Sequence, residues 1–124
     1  MSEEILRRLP SLPRYEVDAL DVGVIEVDDT GRILLYNRRE SEKTGISVPD
    51  AEGQNLFTEL APCMNNALIY GRFCEAMQIG QMDFEVPYAL TYRMRPALVQ
   101  MRLWRDDRTE RNYVLIRFLS PVTK

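Results

Sequence analysis

A cysteine directly after a proline, in Leu60-Ala61-Pro62-Cys63, carries the clearest chemistry of a chain that contains no histidine. Pro62 fixes its own φ and removes a backbone donor, so this stretch reads as a turn or a broken helix start. Between apolar Leu60 and Met64, a thiol on that turn is expected to point inward. Upstream, Tyr36, Glu40 and Thr44 recur at every fourth position and fall on one helical face. The expectation is a buried thiol facing a buried phenol, carboxyl and hydroxyl. Each residue taken alone has a plainer reading. Cys63 reads as a small buried hydrophobe, and Asn37-x-x-Glu40 as a capping box with an exposed glutamate. Tyr36 reads as a strand-end aromatic, and Thr44 as a hydroxyl bonded back to its own helix.

Composition narrows the chemistry. With 124 residues, 45% apolar and 28% charged, the chain has the size and make-up of one ordinary soluble domain. A net charge of −3 favours neither nucleic acid nor an anionic membrane as a partner. No apolar run approaches the roughly 18 residues of a membrane span. The acidic start Met1-Ser2-Glu3-Glu4 lacks the order of a secretion signal, and two cysteines without such a signal imply a reducing cytoplasm. That compartment also argues against a Cys63–Cys74 disulfide. Without histidine there is no Cys/His or Ser/His nucleophile and no common transition-metal site. Phosphate-binding glycine loops are absent too, so an enzyme is not expected.

The elements that must position these residues follow in order. Residues 2–9 read as a short helix capped by Ser2 and stopped by Pro10, with Ile5 and Leu9 as a small docking stripe. Pro10 and Pro13 predict an irregular link. Leu20 to Val27 and Arg32 to Tyr36 predict two strands around the turn Asp28-Asp29-Thr30-Gly31. Asn37 opens a helix that ends at Gly45, and residues 47–53 allow one further turn. Residues 55–62 carry Leu56, Phe57, Leu60 and Ala61 toward the core. Residues 67–79 predict the longest helix, with Leu68, Tyr70, Phe73, Met77 and Ile79 on its apolar side and Cys74 as inert core. Three strands follow over 83–93, 97–105 and 112–119, the last two joined by a charged solvent turn. Arg38 to Lys43 and Arg105 to Arg111 read as solvated faces. This pattern is α+β, a five-stranded antiparallel sheet with helices inserted between strands 2 and 3.

The segments LLYNRRESEKTGI (34–46), GQNLFTELAPC (53–63), IYGRFCEAM (69–77) and LTYRM (90–94) make the chain resemble the photoactive yellow protein family of PAS-fold blue-light receptors. The joint occurrence of Y-N-x-x-E-x-x-x-T-G and A-P-C is more specific than either motif alone, and the resemblance runs from residue 2 to about 118. It implies a p-coumaroyl (4-hydroxycinnamoyl) group held as a thioester on Cys63. Its phenolate oxygen would accept hydrogen bonds from Tyr36 and from a protonated Glu40, with Thr44 supporting Tyr36. Ile25, Ile46, Pro62, Leu90 and Tyr92 would border the group, and Met94 would help it return thermally to its trans form. Ile46 stands where the best-known members carry an arginine, and Met64 and Leu90 make the pocket more aliphatic.

The resemblance further implies a light sensor that signals by trans–cis isomerisation, proton transfer from Glu40 and loosening of an N-terminal cap. Residues 1–19 would be that cap and 20–120 the photosensory PAS domain. The partner would be a downstream signalling protein, with the chain a monomer or a weak PAS homodimer. Two other readings stay open at the level of sequence. One is a light-independent interaction or dimerisation module, and the other a redox or small-ligand sensor using Cys63 as a free thiol. A redox sensor would want that thiol exposed beside a cation.

Overall fold

The computed structural model describes residues 3–90 and 97–121. Among these, strands β1 (Gly23–Val27), β2 (Ile33–Tyr36), β3 (Asp83–Leu90), β4 (Ala97–Asp106) and β5 (Arg111–Pro121) form one antiparallel sheet in the order β2-β1-β5-β4-β3. Helices α1 (Glu3–Arg8) and α2 (Arg14–Asp18) precede β1, while α3 (Arg38–Thr44), α4 (Val48–Ala51) and α5 (Arg72–Ile79) lie between β2 and β3. The expected α+β architecture is the one the chain adopts.

Strand β1 lies inside the sheet, between β2 and β5, where its run of Val and Ile is buried on both faces. Ile25 and Val27 face the main core, which lies under the inserted helices. Val24 faces a second core, where Leu6, Leu9 and Val17 of the N-terminal segment pack on Val22, Tyr113 and Leu115. In register, Ile25 sits opposite Tyr36 of β2 and Val114 of β5. Strand β3 pairs with β4 alone, so Pro87 costs it no ladder bond on the open side. The turn after β1 is locked by Asp28, whose Oδ1 accepts from the Thr30 and Arg32 amides at 2.9 and 3.0 Å.

Several local expectations are corrected. The docking residues of the first helix are Leu6 and Leu9, with Ile5 only half-buried, because a tight 3₁₀ turn over Leu9–Ser11 rotates the chain. The link after Pro13 is helical, not irregular: the Pro13 carbonyl accepts from the Glu16 and Val17 amides and opens α2. The first strand therefore begins at Gly23, since the Ala19 and Leu20 amides still close onto α2. Residues 67–79 are not one α-helix. Asn66 caps a wide turn over Ala67–Gly71 in which the Gly71 amide reaches Asn66 O, five residues back, at 2.9 Å. That extra residue per turn rotates the apolar stripe. Ile69, Phe73 and Ala76 enter the core, Leu68 and Ile79 are exposed, and Cys74 is exposed rather than core. The segment 105–111 is not simply solvated either. Arg105 is bound to Asp29 and Asn112 at 3.0 and 2.9 Å, and buried Asp106 accepts from Thr109.

Candidate functional site

Helix α3 is attached to the sheet by one fully buried side chain, Asn37. Its Oδ1 accepts from the Glu40 amide at 3.1 Å, the N-cap bond expected of this residue, and from the Val24 amide at 3.0 Å. Its Nδ2 donates to the carbonyls of Val17 and Val22 at 2.9 and 3.0 Å. The return arm of a capping box is missing, because the Asn37 amide donates to Val24 O on β1. The Asn37 amide is therefore not available to the Glu40 carboxyl, and Glu40 is completely buried rather than exposed.

The Glu40 carboxyl lies against the backbone at the start of β1. Gly23 makes this possible: a methyl group there would overlap Glu40 Oε1 and stand 3.1 Å from Cδ. One turn further along α3, Thr44 Oγ1 lies 2.8 Å from the Tyr36 hydroxyl and donates to the Glu40 carbonyl at 3.0 Å. The same oxygen accepts from the Ile46 amide at 3.2 Å, just past the αL residue Gly45 (φ 77°) that ends the helix. Tyr36, Glu40 and Thr44 are all buried, but they do not share one helical face as expected: Tyr36 is the last residue of β2, and only Glu40 and Thr44 lie on α3, because Asn37 is extended and opens the helix after it.

Cys63 sits on a 3₁₀ turn, Pro62–Met64, between the two wide turns Leu56–Leu60 and Ala67–Gly71. Pro62 supplies the first residue of that turn and is itself exposed. Cys63 is a free thiol, half-buried, packed against the main core that holds Tyr36, while Met64 beside it is fully buried. Its carbonyl is pinned by the Tyr88 hydroxyl from β3 and by Asn66 Nδ2 at 3.2 Å. Asn66 Nδ2 also donates to the Tyr88 oxygen at 2.7 Å. Neither anchor was legible as a site residue: Asn66 has only its cap position as a signal, and Tyr88 has none.

The fold thus brings Tyr36, Ile25, Ile46 and Leu90 into one core that Cys63 borders, with buried Thr44 bonded to Tyr36 and buried Glu40 seated on Gly23. Tyr92 and Met94 lie outside the described residues. No group of three or more metal-ligating side chains occurs among the described residues. No helix among them is long and apolar enough to cross a membrane.

On the other face of β1, charged bonds hold the N-terminal segment. Arg111 pairs with buried Glu26 at 2.8 Å and donates to the Pro10 carbonyl at 2.9 Å, and Arg102 reaches Glu3 at 2.9 Å. Beneath it, the Tyr113 hydroxyl is buried near the Arg111 guanidinium and makes no well-formed hydrogen bond among the described residues. Burial pushes that phenol well above its ordinary range, and the nearby Glu26 charge pushes it the same way.

The PAS-fold family profile matches residues 12–119. A photoactive yellow protein of Rhodothalassium salexigens is 30% identical over 115 residues, covering 93% of this chain and 92% of that protein. Another, from Cereibacter sphaeroides, is 34% identical over 91 residues, covering 73% and 70%. The crystal structure of the photoactive yellow protein domain from the sensor histidine kinase Ppr of Rhodospirillum centenum superposes with a TM-score of 0.84 at 34% identity, covering 89% of this chain and 96% of that one.

Proposed function

The chain belongs to the photoactive yellow protein family of PAS-fold domains, and from that premise we propose that it is a blue-light photoreceptor and signal transducer, not an enzyme. The observation that carries the reading is the joint burial of Tyr36, Glu40 and Thr44 in the apolar core that free Cys63 borders. A phenol and a carboxyl kept from water there suit an anionic oxygen, which is costly in such a core unless proton donors meet it. These residues fit a p-coumaroyl group in thioester linkage to Cys63. Ile25, Ile46 and Leu90 would border it, and Tyr92 and Met94 are assigned by the resemblance alone. When bound, that group supplies a double bond that light isomerises and an oxygen that carries negative charge.

The chain's own residues supply the rest. Cys63 offers a half-buried thiol on a turn whose carbonyl Tyr88 and Asn66 hold still. Full burial disfavours a charged carboxylate at Glu40, and the proposed role as proton donor calls for its neutral form. Loss of that proton would leave a buried carboxylate against β1 at Gly23, and holding a charge away from water is costly. Strand β1 is shared by both cores, and Asn37 joins the Glu40 amide to Val17 of α2. The strain would therefore reach residues 1–19, the cap over a sensory domain of residues 20–120. A downstream signalling protein would read the exposed surface. The kinase setting of the Rhodospirillum centenum domain supports such a partner.

The test is to mix the purified protein with an activated p-coumaroyl ester and record its intact mass and visible spectrum. A mass gain of one cinnamoyl group, lost in Cys63→Ala, with a blue-absorbing band that bleaches reversibly, is expected. In Glu40→Gln the band should move to longer wavelength, because an amide donates more weakly than a carboxylic acid. No adduct from folded protein would instead point to a light-independent interaction module.

A further inference from the structure

Strand β2 is the edge of the sheet, so polar groups of Tyr36 that face outward have no ladder partner. Two charged side chains from elsewhere take that place. Glu52 Oε2, just past α4, accepts from the Tyr36 amide at 3.0 Å. The same oxygen is ion-paired with the Arg14 guanidinium of α2, and Arg14 also donates to the Tyr36 carbonyl at 3.3 Å. Both polar groups of this residue's backbone are thus held by one charge pair. One partner belongs to the N-terminal segment and the other to the inserted helices. The Tyr36 side chain, on the same residue, meets Thr44 Oγ1 in the core.

We propose that Glu52 is a positioning residue for the Tyr36 hydroxyl, and that the Arg14–Glu52 pair couples the docking of the N-terminal segment to the geometry of the polar cluster. With Arg14 in place, the Glu52 carboxylate is fixed and the end of β2 is clamped, which sets where the Tyr36 ring enters the core. When the segment leaves, Glu52 loses its cation and the Tyr36 backbone loses one of its two clamps. Coupling of this kind is reciprocal: whatever disturbs the Tyr36–Thr44 contact must loosen the segment by the same factor. The relevance to light signalling rests on the photoreceptor reading, but the coupling itself needs no bound group.

The experiment is a double-mutant cycle on the full chain without added chromophore, using Arg14→Gln, Glu52→Gln and the pair. Two quantities are read: the rate of proteolytic cleavage within residues 3–19, and the ¹³Cζ signal of Tyr36, assigned with Tyr36→Phe. The pair is partly exposed, with side chains 44% and 27% accessible, so each single change is expected to speed cleavage by about threefold to tenfold. The double variant should be no faster than the worse single one, and each variant should shift the Tyr36 signal. Tyr36→Phe should itself speed cleavage. Additive effects, or faster cleavage with an unmoved Tyr36 signal, would overturn the coupling. Both side chains lie at the surface, so the variants should fold, and far-ultraviolet circular dichroism checks this. Adduct formation on Cys63 is scored separately: coupling without an adduct refutes only the photoreceptor reading, and an adduct without coupling refutes only this inference.

Discussion

Replacing Gly23 by alanine probes the seat of Glu40 directly. The Gly23 backbone is in an ordinary strand conformation, so alanine meets no φ penalty. By shortening the list of unfolded conformations it would contribute about 0.4–1 kcal/mol of stability. Against this, its methyl would overlap Glu40 Oε1, crowd Cδ at 3.1 Å and approach Ile116 O at 3.3 Å. A carboxyl at the end of a flexible side chain normally swings aside at little cost. Here it is fully buried in a packed core, so displacing it amounts to overpacking, which costs roughly 1–3 kcal/mol. The net expectation is a loss of about 1–2 kcal/mol. In a Glu40→Ala background only the Ile116 O contact at 3.3 Å remains, and the same substitution should become close to neutral, within about 1 kcal/mol of the Glu40→Ala parent. Urea unfolding of the four proteins measures this, and with a slope near 1–3 kcal/mol per molar the expected shifts are readable. An equal loss in both backgrounds would refute the placement of the Glu40 carboxyl against β1.

Two further perturbations report on the joints of the structure. Asn37→Ala removes both acceptors and donors from a fully buried hub and strands backbone groups of Val17, Val22, Val24 and Glu40, so a loss of at least about 3 kcal/mol is expected by urea unfolding. A loss below about 1 kcal/mol would mean that water replaces the side chain. Tyr113→Phe deletes a buried hydroxyl that makes no well-formed hydrogen bond among the described residues and has only the nearby Arg111 to meet it, and should stabilise the protein by up to about 1 kcal/mol. The same residue sets an alkaline limit. Its folded-state pKa is raised, so above the unfolded value of about 10 the unfolded chain sheds the proton first. Stability is therefore full below about pH 10 and falls as pH rises beyond it. The phenylalanine variant should lack that component of the fall, and identical pH profiles for the two proteins would remove Tyr113 as its source.

Much of the fold was legible because its determinants are local. The turn after β1 needs Asp28 and Gly31, α3 needs Asn37 before it and Gly45 after it, and alternating apolar residues set the strands. Local rules failed where a neighbour in space decided. Pro13 looked like a breaker and instead opens α2, because the second core offers Val17 a place to pack. Leu68 and Ile79 fit a helical stripe, but a wide turn capped by Asn66 rotated that stripe away from the core and left Cys74 outside with them. Glu40 fitted a capping box, yet the Asn37 amide was already taken by Val24, which left the carboxyl to the interior.

The i, i+4 spacing of Glu40 and Thr44 and the Pro62-Cys63 turn are properties of the chain itself, since helix periodicity and a missing amide hold wherever the segment lies, whereas Tyr36 ends β2 and joins them through the meeting of strand and helix. Which way the helix face turned was decided by packing, because Gly23 of β1 leaves room for a carboxyl only once sheet and helix meet. The same holds for the residues that arrive from a distance. Tyr88 reaches the Cys63 carbonyl through the placement of β3, and Arg14 reaches Glu52 and Tyr36 through the docking of α2. No spacing rule joins residues 22 to 38 positions apart. Only the folded sheet sets those distances.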